Sequence, residues 1–149
     1  MSFDHLKSLD VSNRTARCML SFQTKAPEPG EDLAYPVLIV KSATEANRVF
    51  ANEQLRMTKK TAPAVRAGAI NMQMIAETRD NDRTLYAKHI VVGWEGIYDS
   101  NGEEVPFSNS ECEIFLRALP DWAFDEIRNF CTNPQNWVEQ MAVKAIAKN

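Results

Sequence analysis

Few side chains in this 149-residue sequence could hold a metal or act as a nucleophile. Histidine occurs twice, at His5 and His89, and three cysteines lie far apart, at Cys18, Cys112 and Cys131. Zinc sites need about four ligands at close spacings, so we expect no metal and no cofactor. A nucleophilic thiol needs an oriented base beside it. Only Cys112 or Cys131 with His89 offers that pair, and we favour buried, unreactive cysteines and a packed histidine instead.

Sequence motifs for catalysis are also missing. The chain has no G-x-S-x-G elbow, no phosphate-binding loop and no dinucleotide fingerprint. Paired carboxylates occur at Glu103-Glu104 beside a predicted turn, and at Asp80 and Asp82 at a predicted helix start, where the helix dipole stabilises acids. Structural roles explain both pairs. We therefore predict that the protein is not an enzyme.

One group of basic residues surrounds a predicted helix junction. Its members are Arg56, Lys59, Lys60 and Arg66. The group lacks the interleaved aromatic residues of single-strand binders, and the net charge of the chain is −3. We expect no nucleic-acid partner and interpret the group as a solvated face or a contact for an acidic protein segment.

Methionine and aromatic residues indicate a binding surface more strongly. Several large apolar residues fall beside, rather than on, the inward faces of predicted helices. They are Met72, Met74, Trp122, Phe124, Val143 and Ile146. Flexible methionines and large aromatic rings suit surfaces that accept varied apolar helices. We predict that this set lines an exposed apolar groove; a core that wraps more than one helix face is the alternative.

Three short helices are predicted in the C-terminal part and form a unit over residues 108–147. The first starts at a capping box, Ser108 with Glu111, and stops before Pro120. The second spans Asp121 to Cys131. The third starts at Asn133-Pro134, an N-cap followed by proline at the first helical position.

Two strands are predicted in the N-terminal part: Thr15 to Phe22 alternates between apolar and polar residues, and Tyr35 to Val40 is a short, strongly apolar run. Thr15 to Phe22 and Tyr35 to Val40 therefore predict an antiparallel β-hairpin within residues 1–40. Phe3, Leu6 and Leu9 recur every third residue, which predicts either one amphipathic turn or a frayed end.

The middle of the chain is predicted to be helical. A capping box at Ser42–Glu45 predicts a helix to about Lys59, and Thr61-Ala62-Pro63 predicts a restart. Asp80-Asn81-Asp82 predicts a break, after which helical spacing continues to Ile97. The whole reads as one α+β domain, residues 1–149, with a helical body over 42–149 that contains five or six short helices.

Composition and charge restrict the class of protein. Hydrophobic residues make up 44% and charged residues 25%, as in ordinary globular domains. No apolar run approaches the roughly 18–20 residues of a spanning helix, and the N-terminus lacks a signal-peptide core. Three widely spaced cysteines suit a reducing compartment. We expect a cytoplasmic protein without a membrane partner.

The stretch between Gly93 and Trp137 resembles the phage tail assembly chaperones of long-tailed phages. Its residues that carry the resemblance are Gly93, Trp94, Gly102, Val105, Pro106, Phe107, Ser108, Glu111, Leu116, Leu119, Pro120, Ile127, Phe130 and Trp137. Met1 to Leu9 and Val37 to Phe50 resemble the family more loosely, so that about two thirds of the chain is covered. The sequence departs from the family at Lys41-Ser42, where an Asp-Ser pair is expected.

This resemblance implies a non-enzymatic chaperone that binds and solubilises the tape-measure protein during tail morphogenesis. The six apolar residues above would then contact the client, and the tail tube protein would be a second partner. It also implies the host bacterial cytoplasm and absence from the mature virion, and leaves open whether the chain forms a homo-oligomer. The alternative is a structural tail completion or connector subunit that assembles into a ring and is retained in the virion.

Overall fold

A three-stranded antiparallel sheet lies at the centre of the fold. The computed structural model describes residues 2–32, 34–66, 68 and 72–138. The strands are β1 (Ala16–Met19), β2 (Val37–Val40) and β3 (Val91–Glu95), in the order β1-β2-β3. β1 and β2 form the predicted hairpin, in which Ala16 lies opposite Val40. With the helices, this sheet confirms the α+β fold.

Helices occupy most of the remaining described chain. A 3₁₀ helix (Asp4–Leu9) precedes the sheet, and a π-helical turn (Tyr86–Ile90) leads into β3. The four α-helices are α1 (Arg48–Arg66), α2 (Met72–Leu85), α3 (Asn109–Ala118) and α4 (Asp121–Cys131). Residues 135–138 form a further helical turn, which begins at the predicted Asn133-Pro134 start.

The prediction of a helix through Ile97 was wrong. Helical structure stops at Ile90, and the chain continues as β3, which pairs with β2. The decisive interaction is the pairing of this segment with β2, which lies more than 50 residues earlier in the sequence, so the local pattern could not show it. Gly96 ends the strand with a φ of +75°, and a side chain there would meet the Pro36 backbone.

The predicted start of the first long helix was also wrong. α1 begins at Arg48, and Asn47 rather than Ser42 caps it: the Asn47 Oδ1 accepts from the Phe50 N–H at 3.3 Å. The Ser42 hydroxyl bonds instead to Thr44 within the preceding turn. α1 also continues through Pro63, where a helix restart had been predicted.

Asp80-Asn81-Asp82 does not break the chain, contrary to the prediction. All three residues lie inside α2, because Asp82 is buried and its carboxylate pairs with Arg128 of α4 at 3.0 Å. This tertiary contact outweighs the weak helix propensity of the three residues.

The predictions for α3 and α4 were correct. Ser108 caps α3 by accepting from the Glu111 N–H at 3.1 Å, and the helix ends before Pro120. α4 spans the predicted residues Asp121–Cys131. The three cysteines are free and buried, as expected, in a core between the sheet and the helices.

Candidate binding surfaces

α1 and α2 form a helical hairpin whose far part lacks a core of its own. Between residues 51 and 81, none of the side chains that the structure describes is buried. We call residues 51–66 and 72–81 the arm. At its base, a cavity of about 180 Å³ separates Gln54 and Met57 of α1 from Asn81 and Leu85 of α2. The arm therefore offers helix surface that the rest of the described chain leaves uncovered.

Large apolar side chains lie on this arm. Met72, one of the predicted client-contacting residues, is 79% exposed, and Met74 is partly buried. Leu55 and Ile75 are exposed on the same arm and were missed by the sequence analysis. Their spacing along the helices does not predict their exposure, because they are exposed only since no other described element packs over them.

Trp122 forms a second exposed apolar site, at the start of α4. Its side chain is 61% exposed and packs edge-on against Phe22, with ring centroids 5.9 Å apart. Next to it, the Glu126 carboxylate accepts from the Ser21 backbone N–H at 2.9 Å and from its hydroxyl at 2.7 Å. We call Phe22 and Trp122 the Trp122 patch.

Phe124 does not belong to an exposed groove, and this part of the predicted set is corrected. Its side chain is completely buried and contacts the Tyr86 ring at a centroid distance of 5.4 Å. The guanidinium groups of Arg83 and Arg128 lie over the ring, at 5.0 and 5.8 Å. Phe124 precedes the buried residues Ile127 and Cys131 by three and seven positions, so the helical spacing itself places it on the buried face. The two remaining residues of the set, Val143 and Ile146, lie outside the described residues.

A network of three arginines and three aspartates fixes α2 against α4. Its ion pairs, between 2.8 and 3.4 Å, join Arg79 to Asp121 and Asp125, Arg83 to Asp121, and Arg128 to Asp82 and Asp125. Arg83 is buried and also donates to the carbonyl groups of Leu116 and Leu119 at the end of α3. Burial raises the pKa of Asp82, against the opposing effect of Arg128. The network holds the arm and the Trp122 patch in a fixed relation.

The cysteines are poorly suited to nucleophilic chemistry. Burial raises the pKa of Cys18 and of Cys112 to about 12, and it raises the pKa of Cys131 well above its usual value. The thiolate is the reactive form, so these thiols are inert in the folded chain. His89 lies instead beside Glu53, with 3.5 Å between Nε2 and Oε1.

Metal-binding clusters and membrane-spanning helices are both absent from the described part of the chain. Among residues 2–32, 34–66, 68 and 72–138, no group of three or more histidine, cysteine or acidic side chains is arranged to hold a metal ion. Within the same ranges, none of the helices is long and apolar enough to cross a membrane.

Comparison with known proteins gives one match. The family model described as YdaY prophage protein matches residues 44–149, which is most of the chain. The chain belongs to the YdaY prophage protein family. It is therefore a phage-derived protein. Neither the curated proteins nor the solved structures contain a match.

The region matched by the YdaY family includes the arm and Trp122, but not Phe22, the other residue of the Trp122 patch. Residues 44–149 contain α1 to α4 and β3, and hence the whole arm and Trp122. β1, β2 and Phe22 precede the match. The sheet thus joins two strands from outside the matched region to one strand within it.

Proposed function

We propose that this YdaY-family protein is a non-enzymatic phage tail assembly chaperone that binds the tape-measure protein and keeps it from aggregating until the tail tube forms around it. The observation that carries the proposal is the exposure of large apolar side chains on the arm, above all Met72, in a phage-derived protein. The tail tube protein would take over the client as it polymerises.

The arm supports this proposal by its amino-acid types. Exposed methionine and leucine side chains change rotamers easily and can pack against apolar helices of varied sequence. Leu55, Met72 and Ile75 together supply such contacts without a rigid pocket of defined shape. A long repetitive client requires adaptable contacts of this kind rather than a single specific one.

The Trp122 patch supplies the second proposed contact. A tryptophan that is mostly exposed but held on one edge by Phe22 keeps its other face available for a client side chain. The proposal therefore uses Met72 and Trp122 and omits the buried Phe124. The resemblance to tail chaperones rests on other residues, such as Trp94 and Phe107, which pack together at 5.2 Å and support the fold.

Co-expression with the tape-measure protein encoded in the same prophage tests the proposal. We expect the tape-measure protein to become soluble and to co-purify with the full-length chain. Met72→Ala combined with Ile75→Ala, and separately Trp122→Ala, should each reduce the recovered client. Ile114→Ala is the matched control, because Ile114 on α3 is also largely exposed but lies outside both surfaces.

Two results would refute the proposal. One is a tape-measure protein that stays insoluble with this chain, while the chain is present in stoichiometric amounts in purified virions; a tail completion or connector subunit would then be the better description. The other is that Ile114→Ala reduces the recovered client as much as the arm and Trp122 variants do. The two surfaces would then have no specific role.

A further inference from the structure

The charges of the chain are separated along its sequence. Residues 54–76 contain four basic side chains and no acidic one: Arg56, Lys59, Lys60 and Arg66. Arg56 is exposed and pairs within its own helix with Glu53 at 3.5 Å, and Lys59 is exposed. Residues 54–76 are therefore a positively charged segment in a protein of net charge −3.

Negative charge collects in two loops at one end of the sheet. Residues 20–36 and 96–108 leave the strands at the end formed by Met19, Val37 and Glu95. These loops carry Lys25 as their one basic residue, and six acidic residues, all exposed: Glu28, Glu31, Asp32, Asp99, Glu103 and Glu104. We call the two loops the acidic end.

The two loops form one surface. The Thr24 hydroxyl donates to the Gly96 carbonyl at 2.6 Å and accepts from the Tyr98 N–H at 3.1 Å. Between the loops lies a cavity of about 210 Å³, whose lining includes Tyr35, Tyr98, Glu31 and Asp32. Lys25 of the same chain lies over the Tyr98 ring, 5.2 Å from its centroid, and the exposed Tyr35 ring and the two carboxylates suit the apolar stem and charged head of a further lysine or arginine side chain.

The arm joins the sheet at the opposite end. α1 follows β2 beyond Val40, and the π-helical turn after α2 enters β3 at Val91, which lies opposite Val40. Within the described residues, no ion pair joins the basic residues of the arm to the acidic end. The two complementary charges are thus carried by different ends of the sheet.

We propose that the basic arm of one copy docks on the acidic end of a second copy, so that the protein self-associates head to tail. Leu55 on the arm and Tyr35 on the acidic end are exposed and add apolar area between the charged groups. A second copy is the occupant that the chain itself specifies, because the basic segment 54–76 and the acidic end carry opposite net charges in one chain. Such a contact joins two different surfaces, so it can continue into open chains or close into rings, the smallest of which is a dimer in which both contacts form. The inference does not depend on the identity of any client.

Sedimentation velocity of the full chain at increasing protein concentration tests this contact. At about 0.1 M salt we expect species larger than the 16.9 kDa monomer, and at about 1 M salt, where the screening length falls from about 10 Å to about 3 Å, we expect the monomer. A chain that stays monomeric at low salt and high concentration overturns the proposal. So does association that is insensitive to salt.

Neutralising variants locate the two surfaces. Arg56→Gln with Lys59→Gln removes charge from the arm, and Glu103→Gln with Glu104→Gln removes charge from the acidic end. Each pair should weaken association about two- to thirtyfold, the range of two lost exposed ion pairs. Lys7→Gln with Arg117→Gln, which removes two positive charges elsewhere, is the matched control and should leave association unchanged. Far-ultraviolet circular dichroism checks that all variants are folded.

Mixing the two double variants distinguishes docking of the arm on the acidic end from an interface that pairs the same surface of both copies. The arm is intact in the Glu103/Glu104 variant, and the acidic end is intact in the Arg56/Lys59 variant. One strong contact can therefore form, and the mixture should give dimers that do not grow further. A mixture with no more association than either variant alone refutes the proposal, as does an acidic-end variant that associates like the unmodified chain.

Discussion

Trp122 and Phe124 lie two residues apart on α4 and have opposite environments. Trp122 is exposed and touches Phe22 by an edge, whereas Phe124 is buried beneath two guanidinium groups. The sequence predicted that both flank the inner face of α4. It could not show that Arg83 and Arg128 come from two helices to cover one ring, since that depends on how α2 docks.

Truncation of these two aromatic residues should have very different effects on stability. Phe124→Ala should lower the free energy of unfolding by about 3–5 kcal/mol, because it leaves a cavity in the core. Trp122→Ala should lower it by about 1 kcal/mol or less, because most of the ring is already in water. Urea denaturation measures both values. Equal losses would contradict the assignment of Trp122 to the surface.

Asp82 should make stability depend on pH. Burial raises the pKa of Asp82 in the folded state above its ordinary value of 3.8. At any pH between 3.8 and the folded-state pKa, the folded state therefore holds more protons than the unfolded state. The contribution of Asp82 is therefore largest below pH 3.8 and is lost as the pH rises through the folded pKa. Asp82→Asn removes this pH dependence. The free energy of unfolding of the unmodified chain minus that of the variant should therefore fall as the pH rises from 3.8 through the folded-state pKa. Urea midpoints at several pH values give the comparison, and a rising difference would contradict it.

Among the individual elements, helices were predicted correctly where residues close together in the sequence determine both ends. Ser108, Glu111 and Pro120 fix the ends of α3 through contacts within a few residues, and this part was predicted from sequence. β3 and the continuous α2 were not, because pairing with β2 and the Asp82–Arg128 contact join distant segments. The exposure of the arm was predicted only in part, through Met72, for a related reason: apolar residues such as Leu55 look like core residues until the neighbouring elements are known.

The cap of α1 gives a test at the level of one element. Asn47 accepts from the Phe50 N–H and donates through Nδ2 to the His89 carbonyl at 3.2 Å, so it joins the start of α1 to the π-helical turn. Asn47→Ala should cost about 1–2 kcal/mol of stability, since both contacts are lost. Asn47→Ser keeps a capping oxygen without placing an acceptor against the His89 carbonyl, and it should cost less. Thermal or urea unfolding separates the two variants, and equal costs would show that the cap contributes little.

On the scale of the whole molecule, the buried cysteines come from three different elements. Cys18 lies on β1, Cys112 on α3 and Cys131 on α4, and all three belong to one hydrophobic core. The arm carries none of the three cysteines and has no buried side chain among its described residues. The thiols therefore report on the core alone.

Thiol labelling consequently tests whether the described core unfolds as a single domain. In the native protein an aromatic disulfide reagent should react negligibly, because the thiols are buried and the pKa of Cys18 and of Cys112 is about 12. As urea increases, all three should become reactive over one common transition, since sheet and helices share one core and small domains unfold cooperatively. Mass spectrometry of the labelled peptides resolves each site. If Cys112 and Cys131 reacted at lower urea than Cys18, the helices would unfold independently of the sheet, and the chain would consist of two units rather than one.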